Sequence, residues 1–352
     1  MALTFFVATI LGLGAAGIFY VLAATLLLAR FSDQPKVKPL QRPAVSILKP
    51  LCGAEEQLYE NLKSFCLQDY PVYQVVFALR DAGDEAAAIA RRLIGELPQI
   101  DIALSVNPQI HGSNYKISNL MNALPLAKHP LLVIADSDIG VTPSYLDDVA
   151  SAFNDPNVGV ATCVYAGRSK GDFWSRLGAG WITHSFLPSI LVGQAVGGLT
   201  GVFGATIALM RDQLDRIGGL EALSDHIADD YMLGNLVKKQ GKRIAIIPGY
   251  VENFVIEPGL NGLFQHELRW GRTILTVAPV SYAASVVTQP VALATLALLL
   301  SGFEGGGLAL PALALLALAL ICRVLMIRRS ERLFRLDATP FWMIWLRDLF
   351  SF

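Results

Sequence analysis

The chain has 352 residues, of which 53% are hydrophobic and 16% charged, with a formal net charge of -1 and a mean hydropathy of +0.48. That balance is too apolar for an ordinary soluble enzyme and places part of the chain in a bilayer, while the missing basic excess argues against nucleic-acid binding. Cys52, Cys66, Cys163 and Cys322 form no CxxC pair and have no histidine at ligand spacing, which argues against zinc and against a secreted disulfide framework and favours reduced thiols.

Residues 3–29 contain no charged side chain and exceed the roughly 20 residues a helix needs to cross a hydrocarbon core. A membrane anchor is therefore predicted over 1–30. A cleaved signal peptide is disfavoured, because there is no basic n-region and the run is longer than the roughly 7–15 residues of an h-region.

The next segment alternates. AVSILKPL, YQVVFALRD, DIALSV and LLVIADSD are strand-like, and EQLYENLKSFCL, EAAAIARRLIGEL and YKISNLMNALPLAK have helical spacing. Alternation at these lengths predicts an α/β domain over 31–279, with right-handed crossovers and a mostly parallel, Rossmann-like sheet. Ligands in such sheets sit beyond the carboxyl ends of the strands. Asp81 and the pair Asp136 and Asp138 fall at those ends and should converge on one crevice. Neither GxGxxG nor GxxxxGK[ST] is present, so the usual dinucleotide and nucleoside-triphosphate loops are missing.

Further apolar runs cover about 280–300 and 308–327, separated by SGFEGGG, whose glycines and lone Glu304 suit a turn in a membrane hairpin over 280–327. Arg30, Lys36, Lys38 and Arg42 follow the first run, Arg269 and Arg272 precede the second, and Arg328, Arg329, Arg332 and Arg335 follow the third. Since Lys and Arg are retained on the cytoplasmic side, the 31–279 domain and the 328–352 segment are expected there. PFWMIWLRDLFSF, at the end, is either interfacial or the start of a further span.

Transferring a sugar from a nucleotide diphosphate requires neutralising charge on the departing group, which a divalent cation with hard oxygen ligands does well. Asp136 and Asp138, after the LLVIA strand, are the candidate metal ligands; the bland alternative is a solvated turn. Asp81 either hydrogen-bonds a nucleoside or is a turn residue in RDAGDE. Asp229 and Asp230 open a predicted helix, where one acid suits the cap and dipole and the other can serve as a general base. In HELRWGR, Arg269 and Arg272 either anchor to the bilayer or, with Trp270, cover a donor diphosphate. His184 in WITHSFLPS is either a structural core residue or an acceptor-side residue.

VSILKPLCG, LYENLKSFCLQDYPVYQVVFALRD, NYKISNLMNAL, IADSDIG, FGATIALMR, HIADDYMLG and HELRW, in that order over about 44–275, resemble glycosyltransferase family 21. That family includes ceramide glucosyltransferases and bacterial hopanoid-biosynthesis glycosyltransferases. The resemblance implies a GT-A fold, inversion at the anomeric carbon, a UDP-sugar donor, Mg2+ or Mn2+, and a membrane lipid hydroxyl as acceptor. By position Asp81, Asp136 and Asp230 match the family's three aspartates, the last its base. His266, Arg269 and Trp270 match (Q/R)xxRW, with His in the first place as in the hopanoid-associated branch, and Lys49 and Lys116 match donor-side positions. The expectation is an integral membrane enzyme of a bacterial inner membrane, with its catalytic domain cytoplasmic, acting in sphingolipid or hopanoid metabolism. Ceramide glucosyl transfer is the leading form, and N-acetylglucosaminyl transfer to bacteriohopanetetrol is the alternative. A processive polysaccharide synthase and a non-catalytic UDP-sugar-binding membrane protein are the competing readings.

Overall fold

The computed structural model describes residues 1–303 and 305–351; Glu304 and Phe352 lie outside the described residues. In chain order the elements are α1 (Ala2–Ser32), β1 (Val45–Pro50), α2 (Leu58–Cys66), β2 (Tyr73–Leu79), α3 (Glu85–Glu96), β3 (Ile102–Val106), α4 (Tyr115–Ala123), β4 (Leu131–Ile134), β5 (Ile139–Gly140), α5 (Tyr145–Ser151) and β6 (Val158–Arg168). There follow α6 (Phe173–Trp181), a π-helical turn (Ile182–Phe186), α7 (Leu187–Ala195), β7 (Ile207–Met210), α8 (Arg211–Arg216), α9 (Asp229–Lys239) and β8 (Arg243–Phe254). The last helices are α10 (Leu260–Val277), α11 (Pro279–Ala284), α12 (Pro290–Ser301), α13 (Ala309–Phe334) and α14 (Phe341–Ser351). These elements form two compact units.

The first unit, Pro35–Ala166 with Leu199–Val255, holds an eight-stranded sheet in the order β3-β2-β1-β4-β7-β6-β8-β5. β3, β2, β1 and β4 are parallel neighbours, whereas β4 with β7, β7 with β6, and β5 with β8 are antiparallel. The sheet is thus a parallel half joined to an antiparallel one. β1 is buried along its whole length, as a strand covered on both faces must be. One core packs Ile47, Phe65, Val75 and Val133 together, and another packs Leu48, Val76, Ile117 and Leu132. Because successive side chains of a strand point to opposite faces, Ile47 and Leu48 belong to different cores.

The second unit comprises Met1–Gln34, Gly167–Gly198 and Ile256–Phe352. α1 and α13 are long and apolar enough to cross a membrane. At 31 and 26 residues they extend about 46 and 39 Å, beyond the ~30 Å hydrocarbon core. The intervening apolar stretch is not one straight helix: α11 with its 3-10 extension and α12 are bent by 67°. Pro290 stands at the break, where it lacks the N–H that would continue the ladder. Gly17 lets α1 approach this break closely, since a Cβ there would collide with the Val287 carbonyl and touch Pro290. Val7 and Ile10 of α1 pack with Leu293, Ala297 and Ala312 of α12 and α13.

The terminal stretch left open by the sequence is helical over Phe341–Ser351, eleven residues or about 17 Å. Its exposed side holds Phe341, Trp342 and Trp345. Its buried side carries charges that are paired. Arg347 grips both Glu267 oxygens of α10 at 2.6 and 2.7 Å, and Asp348 takes Arg323 of α13 at 2.8–3.1 Å.

Candidate active site

Lys49 is the penultimate residue of β1, and its side chain is fully buried. Its ammonium donates to the Asp136 carbonyl and lies 3.8 Å above the Phe65 ring. Burial pushes its pKa down to about 7, opposed by the charges of Asp136 and Asp138. The lysine predicted on the donor side therefore lies beneath the Asp136–Asp138 turn and holds its backbone in place. Asn61 Nδ2 adds a bond to the Ser137 carbonyl at 3.3 Å, and the Phe254 amide donates to the Asp138 carbonyl at 3.1 Å.

Asp138 accepts from Asn253 Nδ2 at 2.7 Å through one oxygen; the other is buried and has no hydrogen-bond partner. Burial, and then the charges of Asp136 and Glu55, raise its pKa to about 7. A buried carboxylate oxygen without a donor is costly, and a cation would satisfy it. Asp136 and Asp138 offer the hard oxygen donors that Mg2+ or Mn2+ prefers. Among the described residues no group of three His, Cys, Asp or Glu side chains forms a metal cage. The residues therefore fit a cation that takes its remaining ligands from a bound diphosphate and water.

Lys116 emerges from the first turn of α4, which Asn114 caps by accepting from the Ile117 amide. Its ammonium lies 2.7 Å from Asp136 Oδ1 and 3.5 Å from Asp229 Oδ2. Burial works against the charge, but Asp136, Asp229 and Asp230 outweigh it and hold the pKa above its usual value. Asp229 also accepts from Asn114 Nδ2 at 3.2 Å and is buried. Of the two acids that open α9, Asp229 is thus the one tied into the scaffold.

Asp230 is less encumbered. Its Oδ1 accepts from the Tyr231 amide at 2.7 Å and its Oδ2 from the Gly204 amide at 3.3 Å. Burial first, and the Asp229 charge next, raise its pKa to about 6, opposed by Lys116. Gly204 also accepts from the Asp136 amide at 3.2 Å, so its backbone bridges the two aspartates. A Cβ on Gly204 would run into Asp136 Oδ2 and lie 3.3 Å from the Lys116 ammonium. Sequence reading missed this glycine as a site residue: its signal was the FGAT turn before β7, and the chain has 30 glycines.

Asp81 follows β2, one strand away from β4 across β1, and its side chain is exposed. Its Oδ1 accepts from the Gly83 amide at 2.9 Å, the turn chemistry that was one of its two readings. Beside it, Arg80 stacks 4.5 Å over Tyr115 at the start of α4. Lys49, Lys116, Asp136, Asp138, Asp229 and Asp230 form one connected or electrostatically linked cluster, and Asp81 stands at the same end of the sheet.

The remaining candidates belong to the second unit. On α10, His266 Nδ1 is 2.8 Å from Glu257 Oε1, and its ring lies 4.1 Å from that of Trp270. Trp270 in turn stacks on Trp181 at 4.7 Å and 20°. Arg269 points outward and is exposed. His184, in the π-helical turn, is 4% exposed, and its Nε2 has no hydrogen-bond partner. Burial, then Arg323, Arg328 and Arg347, lower its pKa to about 3, so the imidazole is neutral at pH 7.

A mannosyltransferase from Pyrobaculum calidifontis, solved with GDP-mannose and Mn2+, matches this fold with a TM-score of 0.54 at 21% identity, covering 92% of this chain and 98% of that one. The fold is GT-A. Ceramide glucosyltransferase 1 of Caenorhabditis elegans is 29% identical over 206 residues, and ceramide glucosyltransferase 3 of the same organism is 27% identical over 205. Each match covers 58% of this chain and 44% of the relative, so the shared region spans less than half of the relatives' length. A ceramide glucosyltransferase of Komagataella phaffii is 28% identical over 144 residues, 40% of this chain and 27% of the relative. Residues 9–352 match the description of Glycosyl transferase family 21, and the chain belongs to that family.

Proposed function

We propose that the protein is a membrane-bound inverting glycosyltransferase that moves a sugar from a UDP-sugar to a hydroxyl of a membrane lipid. The observation that carries this reading is the link through Gly204 between Asp136, beside the cation-binding candidate Asp138, and Asp230, a carboxylate with a pKa raised to about 6. A base for a lipid alcohol and a cradle for a diphosphate thus share one backbone support.

Asp230 takes the proton of the acceptor hydroxyl as its oxygen bonds to the anomeric carbon. The bond from that carbon to the diphosphate oxygen breaks on the opposite face, its electron pair leaves with UDP, and the configuration inverts. A divalent cation held by Asp136 and Asp138 would offset the leaving group's negative charge. Lys116 keeps Asp136 and Asp229 in position and Lys49 supports the turn from beneath. Asp81 is the nucleoside contact in this scheme, and His266, Arg269 and Trp270 supply the closing element that the family pattern implies.

The Lys and Arg residues bordering the apolar helices support a cytoplasmic location for the sheet-bearing unit, at the inner membrane in a bacterium. The exposed aromatics of α14 suit the membrane interface. The named relatives support glucose and ceramide as donor sugar and acceptor. His266, in the first place of the HxxRW element, favours the second form, N-acetylglucosaminyl transfer to a hopanoid such as bacteriohopanetetrol.

Membranes bearing the protein, given UDP-glucose or UDP-N-acetylglucosamine with ceramide and bacteriohopanetetrol, should yield a new glycolipid by mass spectrometry, and EDTA should suppress it. Its identity selects between the two acceptors. UDP binding with no product on any lipid extract would favour a non-catalytic protein, and a polymer of many sugars would favour a processive synthase.

A further inference from the structure

Within the second unit, Glu257 and His266 form a pair whose members differ sharply in exposure. The Glu257 side chain is 5% exposed and that of His266 32%, with Glu257 Oε1 2.8 Å from His266 Nδ1. An ionised carboxylate can only accept, so Nδ1 carries the proton of this bond. In a neutral imidazole the lone pair then sits on Nε2, because the bond made by one ring nitrogen sets the state of the other. His266 Nε2 makes no hydrogen bond among the described residues, and the half-buried ring leaves it within reach of a ligand.

The carboxylate is itself held in place. The Glu257 amide donates to Ser175 Oγ at 2.8 Å, and the Ser175 amide donates at 2.8 Å to Asp172 Oδ1, the N-cap of α6. The same helix ends at Trp181, so α6 positions both the support of His266 and the first ring of an aromatic row.

That row runs Phe186, Trp181, Trp270, His266. Phe186 stacks on Trp181 at 5.5 Å and 17°, Trp181 on Trp270 at 4.7 Å and 20°, and Trp270 lies 4.1 Å from the His266 ring. All four side chains are half-buried. In an α-helix, residues five apart point about 140° away from each other and cannot stack. The π-helical turn removes that obstacle: the Leu187 amide bonds the Ile182 carbonyl five residues back, and the extra residue brings Phe186 round onto the face of Trp181. Such turns cost regular hydrogen-bond geometry and recur at functional sites. The result is a line of apolar ring edges that ends in a hydrogen-bond acceptor, which matches a molecule with an elongated apolar body and a hydroxyl at its head.

We propose that Glu257 is a positioning residue: it holds His266 with Nε2 free to accept a hydrogen bond from a hydroxyl of the lipid acceptor, whose apolar body lies along Trp270, Trp181 and Phe186. This rests on the lipid-glycosylating reading above. Ceramide and bacteriohopanetetrol each carry more than one hydroxyl, and the one bound by His266 is not the one that loses its proton to Asp230. Glu257 acts through His266 and touches no reacting atom.

Two measurements on the full chain in neutral detergent test this. The first is the ring-nitrogen NMR spectrum of protein with isotope-labelled histidine at about pH 8, where an ordinary imidazole is neutral. The His266 signals, identified by their loss in His266→Gln, should show Nδ1 protonated and Nε2 bare, and Glu257→Gln should abolish that preference, since an amide can both donate and accept. The second is initial rates at varied UDP-sugar and varied ceramide or bacteriohopanetetrol, whichever is glycosylated. Glu257→Gln should raise the lipid KM about tenfold and leave the UDP-sugar KM within about twofold, and the rise should vanish when position 266 already carries Gln. A bare Nδ1 in wild type overturns the proposal, even if Glu257→Gln fails to fold by size-exclusion chromatography. So does an unchanged tautomer in Glu257→Gln, a rise confined to the UDP-sugar KM, or the same rise in lipid KM in the His266→Gln background. A lower unfolding midpoint with both KM values unchanged would make the pair a structural pin and also overturns it. Wild type that fixes the tautomer but glycosylates neither lipid would refute the reading of function and leave Glu257 as the residue that orients His266.

Discussion

Lys116 places its ammonium 2.7 Å from Asp136 Oδ1, so the candidate metal carboxylate is already engaged by a side chain from another element. The same ammonium is 3.5 Å from Asp229, which makes it the positive centre of the acidic cluster.

Lys116→Met removes that centre and leaves the buried Asp229 and the partly buried Asp136 repelling each other. We expect a loss of ~1–3 kcal/mol in stability and a donor KM at least about tenfold higher. Thermal unfolding and initial-rate kinetics at varied UDP-sugar check this. An unchanged midpoint and KM would leave Lys116 with no part in the site.

Asp230→Asn keeps the shape of the side chain, but its single carbonyl oxygen accepts from only one of the Tyr231 and Gly204 amides and cannot take the hydroxyl proton. Turnover should drop about 10²–10⁴-fold while UDP-sugar binding, followed by calorimetry, persists. Turnover close to wild type would remove Asp230 as base.

The raised pKa of Asp230, about 6, sets the sign of a pH effect. A general base acts in its deprotonated form, so kcat/KM should be flat above that value. Below it the rate should fall about tenfold per pH unit. A pH–rate profile with no limb near 6 would detach the rate from this carboxylate.

Gly204→Ala introduces a Cβ against Asp136 Oδ2. Because Gly204 is bonded through its backbone to both aspartates, it cannot retreat from one without disturbing the other. Overpacking of this kind costs ~1–3 kcal/mol, and we expect at least a tenfold loss of transfer in a chain that still folds. Full activity in the variant would show that the turn yields freely.

Arg347 and Glu267 form a bidentate pair with 4% and 15% of their side chains exposed. Removing either partner leaves a buried charge and should cost ~3–5 kcal/mol, whereas Arg347→Met with Glu267→Leu should cost clearly less than the sum. Glu267 lies between His266 and Arg269 on α10, so the single variants should also lower transfer. Additive losses in thermal unfolding would mean that the pair is uncoupled.

Much of this architecture is legible in the sequence, because the signals are local. An uncharged run marks α1, and short apolar, strand-like runs alternating with helical spacing mark β1, β2, β3 and β4. Once parallel crossovers are inferred, Asp81, Asp136 and Asp138 must stand at one end of the sheet, since every parallel strand ends on the same side. Other features depend on partners distant along the chain, and no local pattern reveals them. Only tertiary packing puts Lys49 beneath Asp136, ties Asp229 rather than Asp230 to Lys116 and Asn114, makes Gly204 the bridge between Asp136 and Asp230, and pairs Arg347 with Glu267. The physical reason is that residue type and periodicity encode which face a side chain prefers, whereas the hydrogen-bond partner of a buried charge is chosen by whichever remote backbone the completed core brings within about 3 Å.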